Sequence, residues 1–297
     1  MPEFPIARAF PAALCVLMIL ITGATGTIGS EIVRLLAALG EGVRAVTRNP
    51  ETADLPGGVE VVRGDYSDVP AIAGAMDGAD AVFVLSVLGP EGIDADTALV
   101  RAASDAGVRR IVKLSAIGTG DPGLGRVGTW HLPGEQAVRD SGTDWTILRP
   151  SSFASNTLSW APALHSGQPV SNLTGAGAQG VVDPRDVSAV AVEALLFPAH
   201  AGRVYTLTGP ELLTTHDQAA VVAAAYLCRV GRRPCLGVRS GSDCGRLAVV
   251  LMPDHLVVAA AHPGDRPGPG PPKACASRSR VTAAWNSPCG AASLPVA

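Results

Sequence analysis

Residues 18–29 read M-I-L-I-T-G-A-T-G-T-I-G, a short apolar run followed at once by Gly23, Gly26 and Gly29. Ile19, Leu20 and Ile21 suit a buried strand, and beyond the glycines Ile32, Leu35, Leu36 and Leu39 return at helical period. Strand, glycine turn and helix in that order form the setting of a loop that holds a dinucleotide's phosphates. Glycine permits the tight turn and lets the backbone approach a pyrophosphate. The helix N-terminus then offers unpaired N–H groups and a partial positive charge to the anion. Three glycines alone would mean little; the correct flanks on both sides select the dinucleotide reading.

Outward from this stretch the elements alternate as a doubly wound parallel sheet requires. Strands are expected over 43–47, 59–63, 79–86, 110–115, 145–148 and 204–207. The fourth of the sheet, A-D-A-V-F-V-L-S, is almost wholly apolar, as a strand covered on both faces should be. Helices are expected over 93–106, ended by Gly107, and over 129–141, ended by Gly142. Asp183-Pro184 supplies a cap acid and a first-turn proline for a helix over 185–196. Thr215 reads as the cap of a helix beginning near His216, and residues 155–180 as loop or lid.

Composition sets the outer bounds. The chain has 297 residues, 47% hydrophobic and 16% charged, which suits a globular protein of one large or two modest domains. A net charge of -3 gives no electrostatic case for a nucleic acid or a membrane surface as partner. The apolar run 12–21 is too short to span a bilayer and contains the first strand, so residues 1–17 read as an irregular leader. The end of the chain differs from the rest. Residues 221–297 carry nine Lys/Arg against three acids, no glutamate and five of the six cysteines. Those cysteines fit no zinc or redox spacing, and G-D-R-P-G-P-G-P-P over 264–272 can be neither helix nor strand. A disordered basic tail and an altered reading frame near residue 220 both account for this; the joint change in charge, cysteine and acid usage favours the second.

Three positions carry candidate chemistry. An acid about 20 residues past the glycines usually binds the adenosine ribose of NAD, but here the second strand ends V-T-R-N-P, putting Arg48 at that spot. A guanidinium suits a 2′-phosphate, so NADP(H) is favoured over NAD(H). Asp65, in R-G-D-Y-S-D, could accept from the adenine amino group or cap the next turn. The helix near Thr129 lacks the Tyr-x-x-x-Lys pair of short-chain dehydrogenases and carries His131-x-x-x-Glu135 instead. His131 could donate a proton near neutral pH; the alternative is a partly exposed histidine held by Glu135.

Together T-G-A-T-G-T-I-G, V-T-R-N-P, R-G-D-Y-S-D and H-L-P-G-E-Q-A-V-R-D-S-G-T-D-W-T-I-L-R-P-S-S-F-A-S-N resemble the NmrA-like atypical short-chain dehydrogenases/reductases, most closely their NAD(P)H:quinone oxidoreductase-like branch. The resemblance runs from Met18 to about Ala220. It implies an α/β fold, a Rossmann-type doubly wound parallel sheet over 18–150 with a small C-terminal substrate lobe over 151–220, left incomplete by the atypical tail. By that likeness Gly23, Thr25, Gly26, Thr27, Ile28, Gly29, Arg48, Asp65, Ser86 and Ser115 line the cofactor. Arg149 and Pro150 lead into a substrate cleft bearing Phe153 and Asn156, and the H-x-x-x-E of His131 and Glu135 is a trait of the family.

The expected activity is hydride transfer from NADPH to a quinone or similar small conjugated carbonyl, in the cytoplasm, without metal. Phe153 or Trp160 would stack on the acceptor ring. A non-catalytic sensor of the NADP(H) ratio fits the missing Tyr/Lys pair as well. Sugar-nucleotide epimerisation fits less, because it leans on that pair. The oligomeric state is not legible.

Overall fold

The computed structural model describes residues 16–65, 68–85, 93–172, 174–229, 247–252, 255–260 and 281–284. The chain opens with β1 (Met18–Ile21), α1 (Gly29–Leu39), β2 (Gly42–Thr47), β3 (Glu60–Arg63), α2 (Val69–Ala75), β4 (Ala81–Val84), α3 (Ile93–Asp105) and β5 (Arg110–Leu114). It continues through α4 (Arg126–Thr129), α5 (Leu132–Asp140), β6 (Asp144–Pro150), β7 (Ser152–Phe153), α6 (Ala161–His165), β8 (Ala178–Val182) and α7 (Pro184–Leu196). Then come β9 (Arg203–Leu207), β10 (Leu212–Thr214) and α8 (Thr215–Arg229). Seven strands form one parallel sheet in the order β3-β2-β1-β4-β5-β6-β9, the doubly wound arrangement expected from the alternation.

The central strands β1, β4 and β5 are buried on both faces, while the edge strand β3 is largely exposed, and the pleat sends alternate side chains to opposite sides. Ile19, Ile21, Phe83, Val112 and Leu148 join α1 and α7 in one core. Leu20, Val82, Val84, Ile111 and Ile147 join α2, α3 and α5 in the other. Along α1 the apolar period holds at Ile32 and Leu36, but Leu39, the last helical residue before the left-handed Gly40, is 56% exposed.

Several local expectations need correction. The helix expected over 129–141 is two helices, α4 and α5, because Pro133 in the first turn of α5 has no N–H to give the Thr129 carbonyl four residues back. The acid that caps α2 is Asp68, accepting from the Ala71 N–H at 3.2 Å. Thr214, rather than Thr215, caps α8: its hydroxyl accepts from the Asp217 N–H at 3.2 Å and its own N–H donates to the Asp217 carboxylate at 3.0 Å, a reciprocal capping box. Thr215 instead donates to the Asn172 side chain at 3.0 Å. The loop expected over 155–180 holds a 3-10 turn (Ala154–Trp160), α6 and the start of β8.

A second, three-stranded sheet in the order β10-β8-β7 forms the lobe beyond β6. It joins the parallel sheet without slack. A Cβ at Gly180 would overlap the Thr208 hydroxyl, and one at Gly209 would overlap the Val181 carbonyl. Beyond α8, β11 (Leu247–Met252), β12 (His255–Ala260) and β13 (Val281–Ala284) pair antiparallel in the order β12-β11-β13. The remainder of 230–297 and the leader up to Cys15 lie outside the described residues.

Thr22 ties β1 to β4 where the strand order reverses. Its buried hydroxyl donates to the Phe83 carbonyl at 2.9 Å and accepts from the Leu85 N–H at 2.8 Å. Thr22→Val keeps the volume but strips both partners, and is expected to cost about 1–3 kcal/mol. Urea denaturation should show this as a lower midpoint with an unchanged slope.

Candidate active site

The crevice at the C-terminal end of the parallel strands, between β1 and β4, is where such a sheet accepts a ligand. The glycine turn lies there. Gly23 is left-handed at φ 63°, and its carbonyl accepts from the Gly26 N–H at 3.0 Å. A Cβ on Gly29 would collide with that same carbonyl, so only glycine lets α1 start this close to β1. Thr25, Gly26 and Thr27 form the exposed tip, while Ile28 is buried and anchors the turn in the core. Ile28 is the N-cap of α1 and supplies no side-chain acceptor to the helix N-terminus. An exposed glycine turn leading to an uncapped helix end fits a dinucleotide's phosphates.

Arg48 is exposed at the end of β2, and Asp65 is exposed beyond β3. The sequence reading missed Arg63 beside them. In register with Thr47 on the neighbouring strand, it donates to the Arg48 carbonyl at 2.8 Å and pairs with Glu51. Ser86 lies outside the described residues.

Further along the sheet edge, Glu135 occupies the place on α5 where Tyr-x-x-x-Lys would put its lysine. It is fully buried. Its carboxylate accepts from Arg149 at 2.8 and 2.7 Å, from the Ser115 hydroxyl at 2.6 Å and from Arg139 at 2.9 Å. Burial by itself would push this carboxyl up, but the Arg149, Ser115 and Arg139 hydrogen bonds outweigh it and hold the group below the usual range. Ser115 is thus turned to Glu135, with the Thr119 hydroxyl 3.2 Å away.

His131 stands one turn before Glu135 but is not held by it. Its Nδ1 lies 3.8 Å from the Asp96 carboxylate on α3, and Asp96 also pairs with the fully buried Lys113 of β5. Trp130 meets the His131 ring edge-on, with centroids 5.8 Å apart. Sequence reasoning overlooked Lys113 and Asp96. The available signal was a lysine inside R-I-V-K-L, an otherwise apolar central strand in a chain with two lysines. Phe153 lies in β7, packed on the core beside Val182, and Asn156 is exposed on the following 3-10 turn, which ends at Trp160.

Residues 23–198 match the NAD(P)H-binding family. The chain belongs to this family, within its NmrA-like, atypical short-chain dehydrogenase/reductase group. It is 45% identical over 235 residues to the (4-alkanoyl-5-oxo-2,5-dihydrofuran-3-yl)methyl phosphate reductase of Streptomyces griseus, covering 78% of this chain and 80% of that one. It is 37% identical over 210 residues to the NAD(P)H azoreductase of Xenophilus azovorans, covering 70% and 73%. The NADPH-dependent quinone oxidoreductase of Escherichia coli superposes with a TM-score of 0.60 at 28% identity, over 72% of this chain and 74% of that one. These members are oxidoreductases, and the family binds NAD(P)H through the Rossmann domain described above. Among the described residues no helix is long and apolar enough to cross a membrane, and no cluster of side chains could hold a metal.

Glu135 gives this site a measurable pH signature. A carboxyl held below its ordinary range stabilises the fold above its unfolded pKa, and that stabilisation is lost as pH falls through the lower folded value. Glu135→Gln is expected to cost about 3 kcal/mol at pH 7, because the buried site loses its charge and the partly buried Arg149 and Arg139 guanidinium groups lose their counter-charge. Denaturant melts across pH should find the deficit constant above about pH 5 and closing below about pH 4.

Proposed function

We propose that this protein is a reductase that uses NADPH to reduce a small conjugated acceptor, an unsaturated carbonyl compound of the butenolide or quinone type. The observation that carries the reading is the buried Glu135 network. The position that would hold a ribose-gripping lysine instead holds a carboxylate locked to Arg149 and Arg139, and the Ser115 hydroxyl is committed to it. No Tyr–Lys acid is assembled here, so the chemistry must need only weak proton donation. Conjugated acceptors meet that condition, because the electron pair they receive comes to rest on an electronegative atom as a stabilised anion. The relatives' names support the same class. A 4-alkanoyl-5-oxo-2,5-dihydrofuran carries a double bond conjugated with two carbonyl groups, and azo compounds and quinones are likewise conjugated electrophiles.

With its phosphates at the glycine turn, the reduced cofactor would supply hydride from its nicotinamide ring. The chain's own residues then divide the remaining work. Gly23, Thr25, Gly26, Thr27, Ile28 and Gly29 hold the phosphates through backbone N–H groups at the start of α1. Arg48 meets a 2′-phosphate, with Asp65 beyond the neighbouring strand. Phe153 and Asn156 face the acceptor from the lobe, and His131, partly exposed at the head of α5, gives up the proton.

The test is to follow absorbance of the reduced nicotinamide with the purified full-length chain and NADPH. The acceptor panel comprises para-quinones, an alkanoyl butenolide, its phosphate ester and an azo dye. Acceptor-dependent oxidation is expected, and His131→Ala should lower kcat by about 10²-fold, the low end of general acid catalysis. Tight NADPH binding with no turnover on any acceptor would overturn the reading in favour of a sensor. Arg48→Glu should raise the KM for NADPH by about 10- to 100-fold, the worth of charge-assisted hydrogen bonds, and leave the KM for NADH nearly unchanged. An equal effect on both cofactors would remove the case for an NADP(H) preference.

A further inference from the structure

We propose that Asp96 is the positioning residue for His131, and that the buried Lys113 exists to keep Asp96 ionised and aimed; this rests on the reading of His131 as proton donor given above. Lys113 is fully buried and Asp96 is 4% exposed, and their pairing joins β5 to α3 beneath the head of α5. A buried carboxylate left alone is driven to take up a proton; the adjacent ammonium removes that pressure. Ionised Asp96 is acceptor-only, so the edge it turns to His131 can receive an N–H and cannot give one. The Nδ1 of His131 lies 3.8 Å from Oδ2, the same oxygen that pairs with Lys113, an ion-pair distance from which a small shift of the ring makes the hydrogen bond.

The backbone is shaped for this approach. A Cβ at Gly134, three residues beyond His131, would lie 2.7 Å from Lys113 Cε and 2.8 Å from Asp96 Oδ2. Glycine there lets α5 come close enough for its first residues to overlie the pair. Trp130 meets the imidazole edge-on from the neighbouring position. Glu135, the other acid near His131, is committed to Arg149, Arg139 and Ser115. The Lys113 ammonium also donates to the Leu114 carbonyl at 3.1 Å, so its charge stays directed at the end of β5.

The consequence is a fixed division of labour between the two ring nitrogens. Nδ1 keeps its proton on the side facing the Asp96 carboxylate. When the acceptor anion needs a proton, the Nε2–H bond of the imidazolium breaks and the O–H bond of the product forms. The ring returns to neutral as the Nδ1–H tautomer and regains a proton at Nε2 from water.

Tautomers are read directly by long-range ¹⁵N–¹H NMR on the ¹⁵N-labelled full-length chain without cofactor, at a pH where imidazole is neutral. The His131 signals are assigned by their loss in His131→Asn. The proposal expects His131 as the Nδ1–H tautomer in the unaltered protein, and a return toward Nε2–H in Asp96→Leu/Lys113→Met. That double variant removes both charges and leaves apolar volume in their place, so it should still fold. The same variant should lower kcat by about 10-fold with little change in acceptor KM. An Nε2–H tautomer in the unaltered protein, or a tautomer indifferent to the folded double variant, overturns the proposal. If the double variant does not fold, the tautomer of the unaltered protein decides alone. Failure of the reductase reading looks different: no acceptor would be turned over, whatever tautomer His131 adopts. His131-dependent turnover without the Nδ1–H tautomer would remove Asp96 from the account and keep the reductase.

Discussion

The buried carboxylate of Glu135 is the constraint on which the catalytic end of the molecule depends. Two guanidinium groups and a hydroxyl converge on it from three elements: Arg149 on β6, Arg139 on α5 and Ser115 at the end of β5. A charge removed from water in this way must be matched closely or it destabilises the fold. The match fixes how far α5 stands from the two strands, and with it the height at which His131 meets the crevice. The glycine turn solves the corresponding problem at the other end, where the Gly23–Gly29 contact sets the distance between α1 and β1. The head of α5 and the glycine turn are thus located by two unlike devices, one electrostatic and one steric.

What could be read from the sequence follows from how local each signal is. The glycine turn, the apolar run of β4, the Asp183-Pro184 start of α7 and the glycines ending α3 and α5 each depend on a few neighbouring residues, and each stands where expected. The break between α4 and α5 was signalled by Pro133 but masked by the apolar period around it. The capping box of α8 was one residue earlier than read, since Thr214 and Thr215 are equally good caps and only Asp217 at the right spacing distinguishes them.

The site itself was legible only as residue types. His131 and Glu135 share a helix face at one-turn spacing, which invites the inference that they pair. In the fold, long-range partners take each of them elsewhere: Glu135 to arginines 4 and 14 residues away, and His131 to an aspartate on another helix. The Lys113–Asp96 pair spans 17 residues and two elements, and no periodicity announces it. Charged residues inside apolar segments were the clue, because a buried ion is retained only where the surrounding structure answers it.

The glycine-tight seam between the two sheets bears on how the cleft chooses its occupant. Gly180 of β8 sits against Thr208, and Gly209 against the Val181 backbone, while a single residue, Ser151, separates β6 from β7. These two glycines let β8 lie directly against the link from β9 to β10, where the chain passes from the large sheet to the small one. On the proposed reading, an acceptor's shape would be felt first by the turn from Ala154 to Trp160 and the α6 segment after it, the part of the lobe built outside either sheet.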